Sequence, residues 1–358
     1  MSQPEAALAA SDQPPARRYD VALLDLDGVI YVGPTGVPGA TEALAAARSD
    51  GMRLAFVTNN ALRTPAAVAA HLTELGVPAD PAEVITSSQA ACRVLAERLP
   101  GSRVLVVGGE GLRVAAAEAG LTVVDSADDE PAAVVQGYSP DVGWRQFAEA
   151  TVAINRGAYW LATNLDVTLP SPRGPLPGNG SLVAAIRSAT GVEPPAAGKP
   201  DPAMHRESLL RSGASNPIVV GDRLDTDILG AARVGCDSLL VLTGVTTATI
   251  LLAAPAGQRP TYLSAGLDGL LTAHPSPAPA GDGWSCGGWT ASRGGGLVLA
   301  GEGADDIDAL RALCAAAWSA GPAGAVHADG AAAAAVVARL GLDGTRPGAP
   351  AVATARRA

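Results

Sequence analysis

The sequence predicts an α/β protein built on a parallel sheet, and three observations carry that prediction. Short continuous apolar runs, such as VALL at 21–24 and IVV at 218–220, alternate with segments of helical composition. That is the pattern of strands buried on both faces and joined by crossover helices. Several of these runs end in acidic residues, glycine or asparagine, and an open α/β sheet gathers its functional groups at the carboxyl ends of its strands. The 358 residues, 48% of them hydrophobic, are enough for two or three domains with a sizeable core.

Residues 1–16 are rich in Pro, Ala, Ser and Gln and read as a disordered tail. They hold no apolar h-region, and Glu5 and Asp12 precede the arginines, so they do not read as a signal peptide. The strand VALL ends at Asp25-Leu26-Asp27-Gly28. Residues 40–50 have helical composition, with Gly51 as the stop. The strand RLAFVTNN ends at Thr58, Asn59 and Asn60, and a helix over about 65–75 and the segment EVITSS follow.

Residues 89–180 repeat the alternation through RVLVVGG, EGLRVAAAEAG, LTVV, AAVVQGY, WRQFAEATVAINRG and YWLATN, a block able to bury its own core. The Pro/Gly-rich VTLPSPRGPLPGNG that closes it reads as a loop. From 181 the alternation resumes with SLVAAIRSATG, the loop AAGKPDP, the helix AMHRESLLRSG, the strand NPIVVGD, the helix DTDILGAARVG, the strand SLLVLTG and a short strand at PTYLSAG. Residues 272–283 read as a linker. Beyond them a hairpin (WSCGGWTASRGGGLVLAGE), a helix and a strand–helix pair define a small α/β module over 276–345, and 346–358 read as a loose tail.

A net charge of −10 argues against general nucleic-acid or anionic-membrane binding. No apolar run reaches membrane-spanning length, so a cytoplasmic protein is expected. Cys92, Cys236, Cys286 and Cys314 are scattered without metal-ligand spacing and read as reduced thiols. Of 25 basic residues only Lys199 is a lysine. In so arginine-biased a chain, a lone lysine points to a place where a compact ammonium on a flexible stem is required.

Four separated segments converge on one chemistry. Asp25 and Asp27, two apart at a strand end, suit a carboxylate nucleophile and a general acid/base. Gly28 lets the chain turn away sharply. Thr58-Asn59-Asn60, holding two of only six asparagines, offers a hydroxyl and backbone N–H groups that can hold phosphoryl oxygens. Lys199, in Gly-Lys-Pro, can bridge the nucleophile and a phosphoryl group. Asp222, directly after the run IVV, suits magnesium, with oxygens from Asp25 and the Asp27 carbonyl; Asp227 would support a metal water or Lys199, and Asp225 is left exposed. Each has an ordinary reading taken singly, as a solvated turn or loop.

In this order they match the four motifs of the haloacid dehalogenase (HAD) superfamily. Through DLDGVIYVG, VPGA, FVTNN, GGEGLR, PGNGSL, GKP and GDRLDTDILGA, the chain resembles, over about residues 19–270, the subfamily with a large α/β cap between the second and third motifs. That subfamily holds phosphoglycolate, glycerol-3-phosphate, pyridoxal and NagD-type nucleotide phosphatases. The resemblance implies a Rossmann-like HAD core over 17–88 and 181–272, a cap over 89–180, Mg2+ as cofactor, a small phosphorylated metabolite as substrate and a homodimer paired through the cap. It also implies that Asn164 and Leu169, in the cap loop 162–170, shape substrate choice. Pyridoxal phosphatases carry a histidine where this chain has Leu169, which favours a smaller aliphatic or polyol phosphate. With the extra C-terminal module, the architecture is similar to an actinobacterial glycerol-3-phosphate phosphatase type.

Other features read more plainly. GGEG at 108–111 lacks the third glycine of a dinucleotide loop, Val114 standing in its place. His71, His205, His274 and His327 lie apart, and Tyr31 suits the pocket or packing equally. Trp284, Trp289 and Trp318 suit the core of the last module. That module resembles part of an acetyltransferase fold without a complete acyl-CoA loop. Two other classes remain open: a receiver-type phosphoacceptor, disfavoured by the Asp-x-Asp spacing and the large insertion, and a degenerate binding protein, disfavoured by four intact motifs.

Overall fold

A computed structural model describes residues 8–169, 171, 173–319 and 324–344. Its central sheet has six strands in the order Tyr262–Ser264, Asp237–Val241, Pro217–Gly221, Val21–Leu24, Arg53–Thr58, Val84–Thr86, and every pairing is parallel. The pairing is parallel as expected, and Val21–Leu24 lies in the middle with all four of its residues buried. Helices cover both faces, so each face of the strands feeds a separate apolar cluster, Ala22 and Leu24 on one side and Val21 and Leu23 on the other. This two-sided burial is why the strands read as unbroken apolar runs.

The cap is a second parallel sheet, in the order Thr122–Val124, Arg103–Val107, Ala133–Gln136, Tyr159–Ala162. One boundary shifts. Helix Asn179–Thr190 packs on Trp144–Asn155, and its Val183 and Ile186 sit in one cluster with Leu105, Val107 and Trp160. It therefore belongs to the cap layer, and Ala196 still bridges the cap strand at Ala162, so the expected boundary at 181 falls too early. The expected loop after Asp166 holds a two-stranded ribbon, with Thr168–Leu169 antiparallel to Leu176–Pro177.

The C-terminal module adds an antiparallel run of four strands, Ala278–Ala280, Gly283–Cys286, Trp289–Arg293 and Leu297–Gly301, with Val326–Asp329 parallel to the last. The first lies inside the segment read as a linker. Trp289 and Trp318 are buried in the module's core, with Trp284 packed against it. At the other end, residues 8–16 are not loose: Leu8 is buried, Ala9 N donates to Thr261 O, and Ser11 pairs with His274. Residues 1–7 of that expected tail, and 346–358 of the other, lie outside the described residues.

Candidate active site

The register of the central strand builds the site. Leu24 pairs with Val220 on one neighbour and Phe56 on the other, so the next residues along, Asp25, Asp222 and Thr58, emerge together at the carboxyl edge. Gly28 turns back with φ +86°, and a Cβ there would come 2.5 Å from Asp222 Oδ2. The turn thus presses its backbone onto that carboxylate. A segment not foreseen completes this corner: Thr243 Oγ1 donates to Gly28 O at 2.5 Å, and Val245 N donates to Asp222 Oδ2 at 2.6 Å. Gly244 between them, directly beyond a buried strand, was the available signal.

Lys199 joins the motifs. Its Nζ donates to Asp25 Oδ1 at 2.5 Å and to Val57 O at 3.1 Å, and lies 2.8 Å from Asp227 Oδ1. The lysine side chain is 4% exposed, whereas Asp25 keeps 13%, enough for a ligand to reach its carboxylate. Asp227 reaches the lysine because residues Leu224–Ile228 form a wide π-turn ahead of helix Leu229–Val234, where a continuous α-helix was expected; such turns recur at functional sites. Asp225 is exposed, as anticipated, and it pairs with Arg223.

Charge is unbalanced here. Asp25, Asp222 and Asp227 bring one oxygen each within 4.8 Å of one another, against one ammonium. Burial and the neighbouring carboxylates push the Asp25 pKa well up, with Lys199 opposing them. Burial, then Asp227, pushes Asp222 up to about 7. Burial works to lower the Lys199 pKa, but Asp227 and Asp25 overcome it and hold it above its ordinary value. Asp222 Oδ1 is buried without a hydrogen-bond partner among the described residues. An orphaned carboxylate oxygen beside two further carboxylates fits a hard divalent cation with oxygen ligands.

Asp27 is solvent-accessible, yet the protein mass around its cleft raises its pKa against Lys199, Arg63 and His71, the direction that suits a proton donor. Arg63, three residues past Asn60, was not singled out from the sequence. Tyr31 sits edge-on to His71.

The amides depart from expectation. Asn59 Oδ1 accepts from Lys199 N, and its Nδ2 donates to Lys199 O and Asp166 Oδ2. Asn60 Oδ1 accepts from Leu62 N. Asn164 Nδ2 donates to Asn59 O, and its Oδ1 accepts from Asp166 N. These side chains tie the loops together. Thr58 Oγ1 accepts from Asn60 N, which leaves its hydroxyl proton to give. A cleft of about 520 Å³ lies between the cap loop 165–168 and the core, lined by Lys199, Asp166 and Arg223 among others, but not by Asp25 or Leu169. Leu169 is half-buried in the ribbon.

The fold and the site define an α/β protein in which an aspartate, a buried lysine and an acidic corner meet at the carboxyl edge of the central sheet, under a cap. Residues 22–122 match the haloacid dehalogenase-like hydrolase family and 196–270 the HAD-hydrolase-like family, while 286–342 match a GCN5-related N-acetyltransferase like domain. A D-glycerol 3-phosphate phosphatase of Mycobacterium tuberculosis is 45% identical over 85% of this chain and 87% of its own. An acid sugar phosphatase of Staphylococcus aureus is 38% identical over 64% of this chain and 89% of its own. The crystal structure of a glycerol phosphate phosphatase from M. tuberculosis, in complex with magnesium, superposes with a TM-score of 0.85 at 42% identity, covering 92% of this chain and 99% of that one. The chain belongs to the haloacid dehalogenase-like hydrolases and is a phosphatase of that family.

Proposed function

We propose that this enzyme hydrolyses glycerol 3-phosphate to glycerol and phosphate, with magnesium bound, through a phosphoryl group carried on Asp25. The observation that carries the chemistry is the position of Lys199 Nζ, 2.5 Å from Asp25 Oδ1 and 2.8 Å from Asp227 Oδ1. The ammonium holds the nucleophilic carboxylate in place and offsets its repulsion with an incoming phosphate. An Asp25 oxygen forms the new bond to phosphorus as the ester P–O bond breaks, and Asp27 gives its proton to the departing alkoxide. Asp27, now a carboxylate, takes a proton from water, whose oxygen attacks the same phosphorus and frees Asp25 and phosphate. Thr58 donates to a phosphoryl oxygen, and the backbone around Asn59 and Asn60 lines the same cradle. Asp25, Asp222 and the Asp27 carbonyl would hold Mg2+, which supplies positive charge to the phosphoryl oxygens.

Two points favour glycerol 3-phosphate over phosphoglycolate, pyridoxal phosphate or a nucleotide: the relative named for that substrate covers most of this chain, and Leu169 stands where pyridoxal phosphatases carry histidine. In the same reading Asn164 sets the floor of the cap loop. The enzyme is cytoplasmic, takes no nucleic-acid or membrane partner, and pairs through the cap, where Trp144 is 80% exposed.

A kinetic panel of these four substrate classes with Mg2+, run on the parent and on Asp25→Asn, tests the reading. Glycerol 3-phosphate should give the highest kcat/KM, and Asp25→Asn should lose about a thousandfold or more. A variant within tenfold of the parent removes Asp25 as nucleophile, and a different leading substrate removes the assignment while leaving the chemistry.

A further inference from the structure

A lysine at the end of a flexible stem reaches its target reliably only if its backbone is fixed, and one side chain grips that backbone here. Asn59 Oδ1 accepts from Lys199 N at 2.8 Å, and Asn59 Nδ2 donates to Lys199 O at 3.1 Å. An amide has two donor hydrogens on nitrogen, and the second goes to Asp166 Oδ2 at 3.1 Å. Asp166 comes from the cap loop, not the core. Its own backbone is held by Asn164, whose Oδ1 accepts from Asp166 N at 3.1 Å and whose Nδ2 reaches Asn59 O at 2.7 Å. The three segments meet without slack: a Cβ on Gly198 would come 2.5 Å from Thr163 O and 2.6 Å from Asn59 Oδ1.

The carboxylate reinforces the direction of the clamp. An ionised carboxylate only accepts, so it draws the NH2 end of Asn59 and leaves the carbonyl end for Lys199 N. Without it the amide keeps only its two bonds to Lys199 and loses the one that ties it to the cap loop.

We propose that Asp166 is a positioning residue: docked on the core as part of the cap loop, its carboxylate orients the Asn59 amide, which in turn places the Lys199 ammonium on Asp25. Cap docking and lysine placement are thereby one event. The role rests on the reading of Asp25 and Lys199 as the reacting pair.

Full-length enzyme assayed with Mg2+ on p-nitrophenyl phosphate, a substrate indifferent to cap selectivity, reads this out. Asp166→Ala, and Asp166→Leu, which keeps the volume without an acceptor, should each lower kcat about tenfold. KM should change far less. Asp166→Asn, which can still present an acceptor oxygen, should recover most of the loss. In combination with Asn59→Ala, Asp166→Ala should add nothing, because both changes release the same clamp. An unchanged kcat in the Ala and Leu variants, an effect confined to KM, or losses that multiply in the double variant each overturn the role. Asp25→Asn in the same assay separates the layers. Surviving turnover there overturns the nucleophile and this role with it, whereas an inert Asp25→Asn beside a normal Asp166→Ala overturns the positioning role alone.

Discussion

A buried ammonium held between two carboxylates explains why the chain's single lysine is a lysine. Lys199 Nζ serves Asp25, Asp227 and the Val57 carbonyl from one point, a task for a compact charge with rotatable donors rather than a planar fork. Behind it, on helix Pro202–Ser212, His205 is almost wholly buried against Gly230, and neither ring nitrogen has a partner among the described residues. Burial, then the positive field of Lys199, lowers its pKa to about 4, with Asp227 opposing. Between pH 6.5 and 4 the unfolded chain therefore binds a proton that the folded one refuses. The contribution to stability is complete above the unfolded value and is lost as pH falls toward 4, by up to about 3 kcal/mol. Denaturant unfolding at pH 7.5, 5.5 and 4.5 should show this decline in the parent and a flatter one in His205→Leu; parallel declines would remove His205 as the source. At this scale the sequence was legible where a residue type carries its own chemistry, as Asp25, Asp27, Asp222 and Lys199 do. The bonds that join Asn59 to Lys199 and Asp166, and Asn164 to Asn59, cross between remote segments, and no local pattern announces them.

Strand ends and the turns that leave them do the positioning. Parallel pairing in matched register brings Asp25, Thr58 and Asp222 to one edge, and each following turn is shaped by contact rather than by propensity. Gly28 has φ +86° and no room for a Cβ beside Asp222. Gly28→Ala should fold, as circular dichroism would show, but lose about 1–3 kcal/mol of stability and at least about a hundredfold in kcat/KM, the scale of an ångström's misplacement. Activity within tenfold of the parent would show that this turn tolerates what its geometry forbids. Elements were legible from periodicity and composition, which local burial dictates: helix Pro65–Glu74, with Thr64 as N-cap, falls where expected. The π-turn Leu224–Ile228 was read as ordinary helix, since five residues of either type share one composition and the difference lies in where Asp227 is drawn.

Across the whole molecule, the C-terminal module is continuous with the catalytic core. Leu224, Ile228, Leu240, Leu251 and Leu263 from the core share one buried cluster with Trp289, Leu299, Leu310 and Trp318. Buried Arg311 crosses the boundary, donating to Leu263 O at 2.5 Å and to His274 Nδ1 at 3.1 Å. Two of the shared residues, Leu224 and Ile228, lie in the turn that carries Asp227. Deleting 276–358 should therefore expose a large apolar face and cost both soluble yield and turnover. A soluble truncated chain with parental kcat would show the module to be dispensable.

The sequence by itself determined the α/β class and the succession of strands along the chain, and it carried the four candidate motifs, because each is written in local hydrophobic runs and in the residues that end them. Only the tertiary structure decided that helix Asn179–Thr190 belongs to the cap, that residues 8–16 are packed, and that Asn59 clamps the lysine for the cap loop. Those facts depend on which distant surfaces meet, and a chain records its own periodicity far more plainly than the partner that will cover it.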